Sequence, residues 1–229
     1  MHDTQFQVDQ ALIASAKVVF QRLPNLFWLV GSACTGKSTI AHAIAAYTGI
    51  AVYDMDAHIY GNYMPRYNAQ QHPANAAWLA AADPLQWMLA LPWTAFDAHN
   101  AATTAEYLAL LAEDLQQHPP ETPLLVDGGI THPALLAQVL PPSHIACMTT
   151  TPAIHLHTWE ADPARAEMKG WVQALPDGAA MWDRFLAYDQ QMDATMVRES
   201  QQHAIRTFLR DGETPSSLLA DLVRAHWGL

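Results

Sequence analysis

The amino-acid sequence predicts an α/β fold in which a parallel β-sheet is covered by helices on both faces. Five short apolar runs have the length and composition of buried strands, and segments with helical spacing of apolar residues separate them. The first run also leads directly into a glycine-rich loop (31–38) and then into a helix, as in a βα unit. Such alternation of strands and helices is typical of a parallel sheet.

The elements can be assigned in order along the chain. A leading helix is predicted over 4–21, because apolar residues recur there at three- and four-residue steps until Pro24. The apolar runs predict strands at residues 26–30, 50–53, 123–126, 144–148 and 204–208. The longest further helices are predicted over three segments: 93–118, about 179–202, and one that opens at Thr214 and Pro215.

Two connections are longer than a simple crossover requires. Residues 57–120 separate strands two and three, and residues 151–178 follow strand four. Because prolines and aromatic residues are mixed over 58–92, short helices and loops are predicted there. Long connections at the carboxyl edge of a parallel sheet often bind ligands; the alternative is that these aromatic residues form a small satellite core. We assign 1–229 to a single domain, with 57–120 as a helical insertion on the side where a substrate would bind.

The glycine-rich loop fits G-x-x-x-x-G-K-[ST], the consensus of a nucleotide phosphate-binding loop. Glycines let backbone N–H groups turn towards an anion, Lys37 reaches the β- and γ-phosphates, and the Ser38 hydroxyl binds Mg²⁺. The following helix adds the positive end of its dipole. The alternative is an incidental glycine turn. With no guanine-specific Asn-Lys-x-Asp motif, we predict ATP as the nucleotide, bound by Gly31, Ser32, Ala33, Cys34, Thr35, Gly36, Lys37, Ser38 and Thr39.

Two carboxylates lie where the second strand is predicted to end. Asp54 and Asp56 are two residues apart, so on a strand both side chains would project to one face while Met55 points away. In phosphoryl transfer such a group orients the acceptor hydroxyl or takes its proton. The alternative is that both residues end the strand and solvate a turn. We predict an acceptor-side, catalytic role for this pair.

A third carboxylate, Asp127, ends the predicted third strand and precedes Gly128 and Gly129. An apolar strand that ends in an acid is the pattern of a Walker B residue, which holds Mg²⁺ together with the loop serine. The two glycines allow the backbone to approach a substrate closely. The alternative is a plain Asp-Gly turn. The sequence therefore predicts Ser38 and Asp127 as the metal site.

These motifs together resemble the P-loop kinases of small molecules, a superfamily that includes shikimate, gluconate and nucleoside monophosphate kinases. The residues that carry the resemblance are the glycine-rich loop, the Asp54-Met55-Asp56 and Asp127-Gly128-Gly129 segments, and the late Arg184-Phe185-Leu186-Ala187-Tyr188 segment. The resemblance implies a five-stranded parallel sheet of order 2-3-1-4-5 and a mobile lid formed by residues 151–178.

The resemblance also implies roles for arginines. Lid arginines in such enzymes neutralise charge on the transferred phosphoryl group, which points to Arg165 within 151–178 and to Arg184, with Tyr188 four residues later. Arg66 lies where relatives bind an anionic group of the acceptor. Each arginine has the alternative of a solvated surface side chain.

The composition indicates the cellular compartment of the protein and the classes of partner that it can bind. The formal net charge is −11 with no cluster of Lys or Arg, which argues against nucleic-acid binding. No apolar run reaches the length of a membrane span, and the two cysteines, Cys34 and Cys147, cannot form a disulfide framework. We therefore predict a cytoplasmic protein without membrane or nucleic-acid partners. The sequence does not predict the oligomeric state.

His155 and His157 would share one face of an extended segment and suggest zinc, but no cysteine or acid pair accompanies them at ligand spacing. The function predicted from all these residues is an ATP- and Mg²⁺-dependent phosphotransferase that acts on a small hydroxylated metabolite or nucleotide. The alternative is a regulatory P-loop ATPase whose insertions act through a protein partner. The two functions share the loop and differ in their need for paired acids and a lid.

Overall fold

The computed structural model describes residues 6–229, and its centre is a five-stranded sheet whose paired strands all run parallel. The strands are β1 Leu26–Gly31, β2 Ala51–Asp54, β3 Leu124–Asp127, β4 Ile145–Thr150 and β5 Arg206–Arg210. Their order in the sheet is β2-β3-β1-β4-β5, which confirms the predicted order. Residues 4 and 5 of the predicted leading helix lie outside the described residues.

Helices cover the sheet on both faces. The α-helices are α1 Gln10–Phe20, α2 Lys37–Thr48, α3 Met55–Ala57, α4 Pro73–Leu79, α5 Pro84–Ala90, α6 Trp93–Asp114, α7 Pro133–Leu136, α8 Pro152–Ala161, α9 Ala166–Gln173, α10 Gly178–Gln202 and α11 Ser216–Trp227. The described residues also contain a π-helical turn, His58–Asn62, and three 3₁₀ turns, Met64–Arg66, Pro142–His144 and Pro163–Arg165.

The boundaries of α1 and β5 differ from the predicted ones for local reasons. Helix α1 begins at Gln10, and the described residues before it, 6–9, are not helical, since the Asp9 carboxylate caps the helix by accepting a 2.8 Å hydrogen bond from Ala11 N. Strand β5 begins two residues late because Ala204 takes a left-handed conformation, with φ at 57°, after the end of α10.

Strand β1 separates two apolar cores. Its side chains alternate, so that Trp28 and Val30 join the core formed with α1, α6 and α10, while Phe27 and Leu29 join the core formed with α2 and α11. All six residues of β1 are buried, as expected for a central strand with helices on both faces. Among residues 6–229, no helix combines the length and apolar composition that spanning a bilayer requires.

The connection between β2 and β3 consists of short helices followed by the 22-residue helix α6, which packs against α1 in the first core. Buried Glu106 of α6 holds the start of α4, because its carboxylate accepts hydrogen bonds of 2.8 and 3.0 Å from Ala74 N and Asn75 N. The anion thereby meets the positive end of a helix. The short helices are thus fastened to the main core through α6.

Residues 151–178 also form helices. Helix α8, the turn at Pro163–Arg165 and helix α9 pack beside the start of α10, and a third apolar cluster joins them. This cluster contains Trp159, Val172 and Trp182, together with Leu89 of α5 and Cys34 of the glycine-rich loop. The segment therefore lies over the loop and closes one side of the space above the sheet.

Candidate active site

The glycine-rich loop joins β1 to α2 at the carboxyl edge of the sheet. At Gly31, φ is 154° and an added Cβ would lie 2.6 Å from the carbonyl oxygen of Met148, so the chain passes β4 too closely for any side chain. Inside the loop, the Thr35 hydroxyl donates a 2.9 Å hydrogen bond to Ser32 O. Helix α2 begins at Lys37 without a side-chain cap, which leaves its first N–H groups free to bind an anion.

Two residues that sequence reasoning missed hold this loop from outside. Arg210, at the end of β5, donates a 2.6 Å hydrogen bond from Nη1 to Cys34 O. Asp193 of α10 accepts a 2.6 Å hydrogen bond from the Ser32 hydroxyl and a longer one, 3.3 Å, from Thr149. The only sequence signal available for Arg210 was its place at the carboxyl end of a strand, since parallel strands all end at one edge.

Asp127 lies beside the loop, paired in register with Leu29 of β1 and Asp54 of β2. Its side chain is buried, and Oδ1 has no hydrogen-bond partner among the described residues. Burial raises the pKa of this carboxyl, while the Ser38 hydroxyl and the Lys37 ammonium oppose the rise. A buried, unpartnered carboxylate oxygen next to a serine hydroxyl fits a hard cation, and Mg²⁺ takes its remaining ligands from phosphate and water.

The expected geometry of Asp54 and Asp56 is wrong. Strand β2 ends at Asp54, and α3 begins at the next residue. Asp54 caps that helix by accepting a 2.9 Å hydrogen bond from Ala57 N, while Met55 is buried. Because two residues in a helical turn point in different directions, the two carboxylates do not share a face. Asp56 alone of the pair lines the cavity above the loop.

That cavity has a volume of about 1160 Å³ and extends from the loop to the helices of both long connections. At the loop end it is lined by Lys37, Ser38 and Asp56. Asp56 is an exposed residue, but the protein around its carboxyl displaces water and raises its pKa, while the Lys37 charge and the Gly129 N–H oppose the rise. A carboxyl with a raised pKa, next to a cation at one end of a cavity, has the character of a general base.

At each of the two glycines after Asp127, a side chain would come too close to residues next to the cavity. Gly128 has φ at 77°, and a Cβ there would come within 3.1 Å of both Asp56 Oδ2 and Lys37 Cε. A Cβ at Gly129 would lie 2.5 Å from the Cβ of Met55. Gly129 lines the cavity, as predicted for a residue next to the substrate. Gly128 does not line it, but its missing side chain leaves the space in which Asp56 and Lys37 approach each other.

The three arginines to which the family resemblance points lie in different parts of the structure. Arg165 lines the cavity, with its guanidinium 5.2 Å from the ring centroid of Trp159. Arg184 instead donates a 2.9 Å hydrogen bond to Leu89 O and ties α10 to α5. Arg66 forms ion pairs of 2.7 Å with Glu113 and Asp114 on α6. Since Arg66 and Arg184 do not line the cavity, only Arg165 is available to a ligand there.

The expectation of an extended segment at His155 and His157 is also wrong, because both lie in α8 and so point in different directions. His155 pairs with Asp189 of α10 at 2.6 Å, and Trp159 Nε1 donates to the same carboxylate at 2.5 Å. Burial lowers the pKa of His155, but Asp189 outweighs it and the net shift is upward. Within residues 6–229, no group of three or more His, Cys, Asp or Glu side chains is placed to hold a metal ion. The buried pair fastens α8 to α10.

Comparison with known proteins adds information on the fold. No family model matches this chain, and no curated protein matches it. A solved structure described as TT1252 from Thermus thermophilus is similar at 14% identity, with a TM-score of 0.50, over 89% of this chain and 96% of that one. At that identity the similarity concerns the fold alone.

Proposed function

We propose that this chain is a phosphotransferase that uses ATP and Mg²⁺ to phosphorylate a hydroxyl group of a small molecule. The observation that carries this proposal is the common cavity wall of Lys37, Ser38 and Asp56. The loop that carries the phosphate-binding consensus and a carboxylate of raised pKa thus line one cavity. A kinase needs both at one point, since the acceptor oxygen must reach the γ-phosphate in line.

Each residue has a distinct role in this proposal. The glycine-rich loop acts as the P-loop, whose amides and Lys37 hold the β- and γ-phosphates. Asp56 orients the acceptor hydroxyl and accepts its proton. Arg165 lies in the segment 151–178, which we propose as the lid, and it balances the charge that develops on the transferred group. Ser38 and Asp127 would hold Mg²⁺, which when bound neutralises charge on the β- and γ-phosphate oxygens.

The proposal is tested by ADP release from ATP and Mg²⁺ in the presence of pooled sugars, polyols, nucleosides, nucleotides and hydroxy acids. At least one pool should raise the rate well above the slow hydrolysis seen without acceptor. If the protein binds ATP but no pool raises ADP release, the proposal is overturned. The regulatory ATPase that acts through a protein partner then replaces it.

Removing the Asp127 charge should weaken the metal dependence of nucleotide binding. In Asp127→Asn, the Mg²⁺ concentration needed for half-maximal ATP binding is expected to rise about tenfold or more, because one anionic ligand is lost. Titration calorimetry over a range of Mg²⁺ concentrations measures this change, and circular dichroism checks the fold. Asp221→Asn, at an exposed ion pair with Arg224, is the matched control. If Asp127→Asn keeps the wild-type Mg²⁺ dependence, Asp127 does not bind the metal and only ends strand β3.

A further inference from the structure

The cavity that contains Lys37, Ser38 and Asp56 also has a large apolar wall. Its apolar lining residues include Ile59, Trp78, Leu85, Met88, Met168 and Trp171. These side chains come from the two long connections, 57–120 and 151–178. A ligand seated here gains most by removing its own apolar surface from water.

Two of the cavity-lining aromatic side chains are left largely in contact with solvent. Trp171 of α9 is 54% exposed and Tyr60 is 66% exposed, although both line the cavity. The Tyr60 ring packs edge-on against Trp78, with centroids 6.2 Å apart. Exposed aromatic faces at a cavity favour a ligand with a flat apolar part, which stacks on them and covers them.

The charges around the cavity disfavour an anion. Among the described residues that line it, the cations are Lys37 and Arg165, which the proposed mechanism assigns to the phosphates of ATP. Three carboxylates also line it, but Asp189 is buried and paired with His155, which leaves Asp56 and Asp83 without an ion-pair partner among residues 6–229. Once ATP occupies both cations, these two carboxylates are the unpaired charges of the cavity wall.

Buried His99 also lines the cavity, but it does not change the balance of charge there. Burial lowers the pKa of His99 to about 4, so the imidazole is neutral at physiological pH. Its Nε2 lies 3.2 Å from Ala74 O and its ring packs edge-on against Trp87. His99 therefore adds an aromatic wall and no positive charge.

We propose that the acceptor is a hydroxylated compound with a large apolar part, preferably aromatic, and no negative charge. This inference rests on the proposed function and narrows it. It excludes the hydroxy acids, phosphorylated sugars and nucleoside monophosphates, which carry charges that Asp56 and Asp83 repel. The apolar part lies between Trp78 and Trp171, and the hydroxyl group points to Asp56.

Matched probe pairs test the two properties separately. Thymidine and thymidine 5′-monophosphate differ in charge, while phenyl β-D-glucoside and glucose differ in the apolar ring. Calorimetry with a saturating non-hydrolysable ATP analogue and Mg²⁺ should show thymidine and phenyl glucoside binding about tenfold or more tighter than their partners, the scale of one like-charge or stacking contact. Tighter binding of the monophosphate or of glucose, or no binding of the two favoured probes at millimolar concentration, overturns the inference.

Variants test which side chains cause the preference for an uncharged ligand with an aromatic part. Trp171→Ala should weaken phenyl glucoside binding about tenfold and leave ATP binding unchanged, while Tyr47→Ala, an exposed aromatic on α2 outside the cavity, should change neither. Asp83→Asn keeps a capping side chain on α5 and should reduce the discrimination against the monophosphate. If Trp171→Ala binds phenyl glucoside as wild type does, the stacking role is wrong.

The same probes separate this inference from the proposed function. ADP release with anionic acceptors alone would sustain the phosphotransferase and overturn the inference about its acceptor. Binding of the apolar probes in the expected order, with no ADP release from any probe or pool, would sustain the cavity preference and overturn the phosphotransferase.

Discussion

Replacing Lys37 by alanine is expected to abolish most of the stabilisation that ATP and Mg²⁺ confer on this protein. A ligand at a hundredfold excess over its Kd stabilises the folded state by about 2.7 kcal/mol, which corresponds to a rise of about 5–10 °C in melting temperature for a chain of this size. Among residues 6–229, Lys37 is the one lysine that lines the cavity, so its loss leaves the phosphates with the loop amides and Arg165. Thermal unfolding with and without ATP and Mg²⁺ measures the effect.

The matched control for this experiment is Lys17→Ala, on α1 and away from the loop, which removes a lysine charge elsewhere. Its ATP-dependent shift in melting temperature should equal that of the wild type. If Lys37→Ala retains the full shift, or if the wild type shows none, the glycine-rich loop does not bind ATP and the phosphotransferase proposal is refuted with it.

Replacing Asp56 by asparagine is expected to lower phosphoryl transfer by about 10² or more while ATP binding stays near wild type, since a positioned acid–base group is lost. Asp54→Asn is the control that the structure supplies. Asparagine also caps helices, so the start of α3 is kept and transfer should stay near wild type. Steady-state rates with an acceptor from the pooled screen measure both variants.

The pH dependence gives the Asp56 assignment a second readout. Desolvation by the surrounding protein raises the pKa of this carboxyl, so the base is lost by protonation at a higher pH than for an ordinary aspartate. In the wild type, kcat/KM should therefore fall as the pH is lowered through that raised pKa. Asp56→Asn should lose this dependence. Wild-type rates in Asp56→Asn, or an equal loss in Asp54→Asn, would contradict the assignment of the base to Asp56.

Much of the scaffold could be predicted because its signals are local or periodic. Five apolar runs separated by helical patterns mark the parallel sheet, and resemblance to P-loop kinases supplied the strand order that the structure has. Asp127 was placed at a strand end by its position after Leu124-Leu125-Val126, and the register confirms that place. Parallel strands end at one edge, so a strand-end carboxylate lies next to the loop after the first strand.

The details around Asp56 were less predictable from the sequence. The apolar run before Asp54 and Asp56 gives no sign of a helix start and so predicts strand residues, yet the chain turns at Asp54 and separates the two side chains. The family resemblance points to Arg66 and Arg184, but Glu113 and Asp114 pair with the first and Leu89 O accepts from the second. Each of these partners is distant in sequence from its arginine, so no local sequence pattern indicates the contact.

The sequence by itself determined the class of fold, the strand order through family resemblance, the loop that begins at Gly31, and the carboxylate at the end of β3. These follow from backbone periodicity, glycine conformation and short motifs, which act over a few residues. Only the tertiary structure decided that Asp56 and Arg165 share a cavity, that Asp193 and Arg210 hold the loop, and that much of the cavity wall is apolar. The physical reason is that those contacts join side chains far apart in the chain, whose meeting depends on how the helices pack.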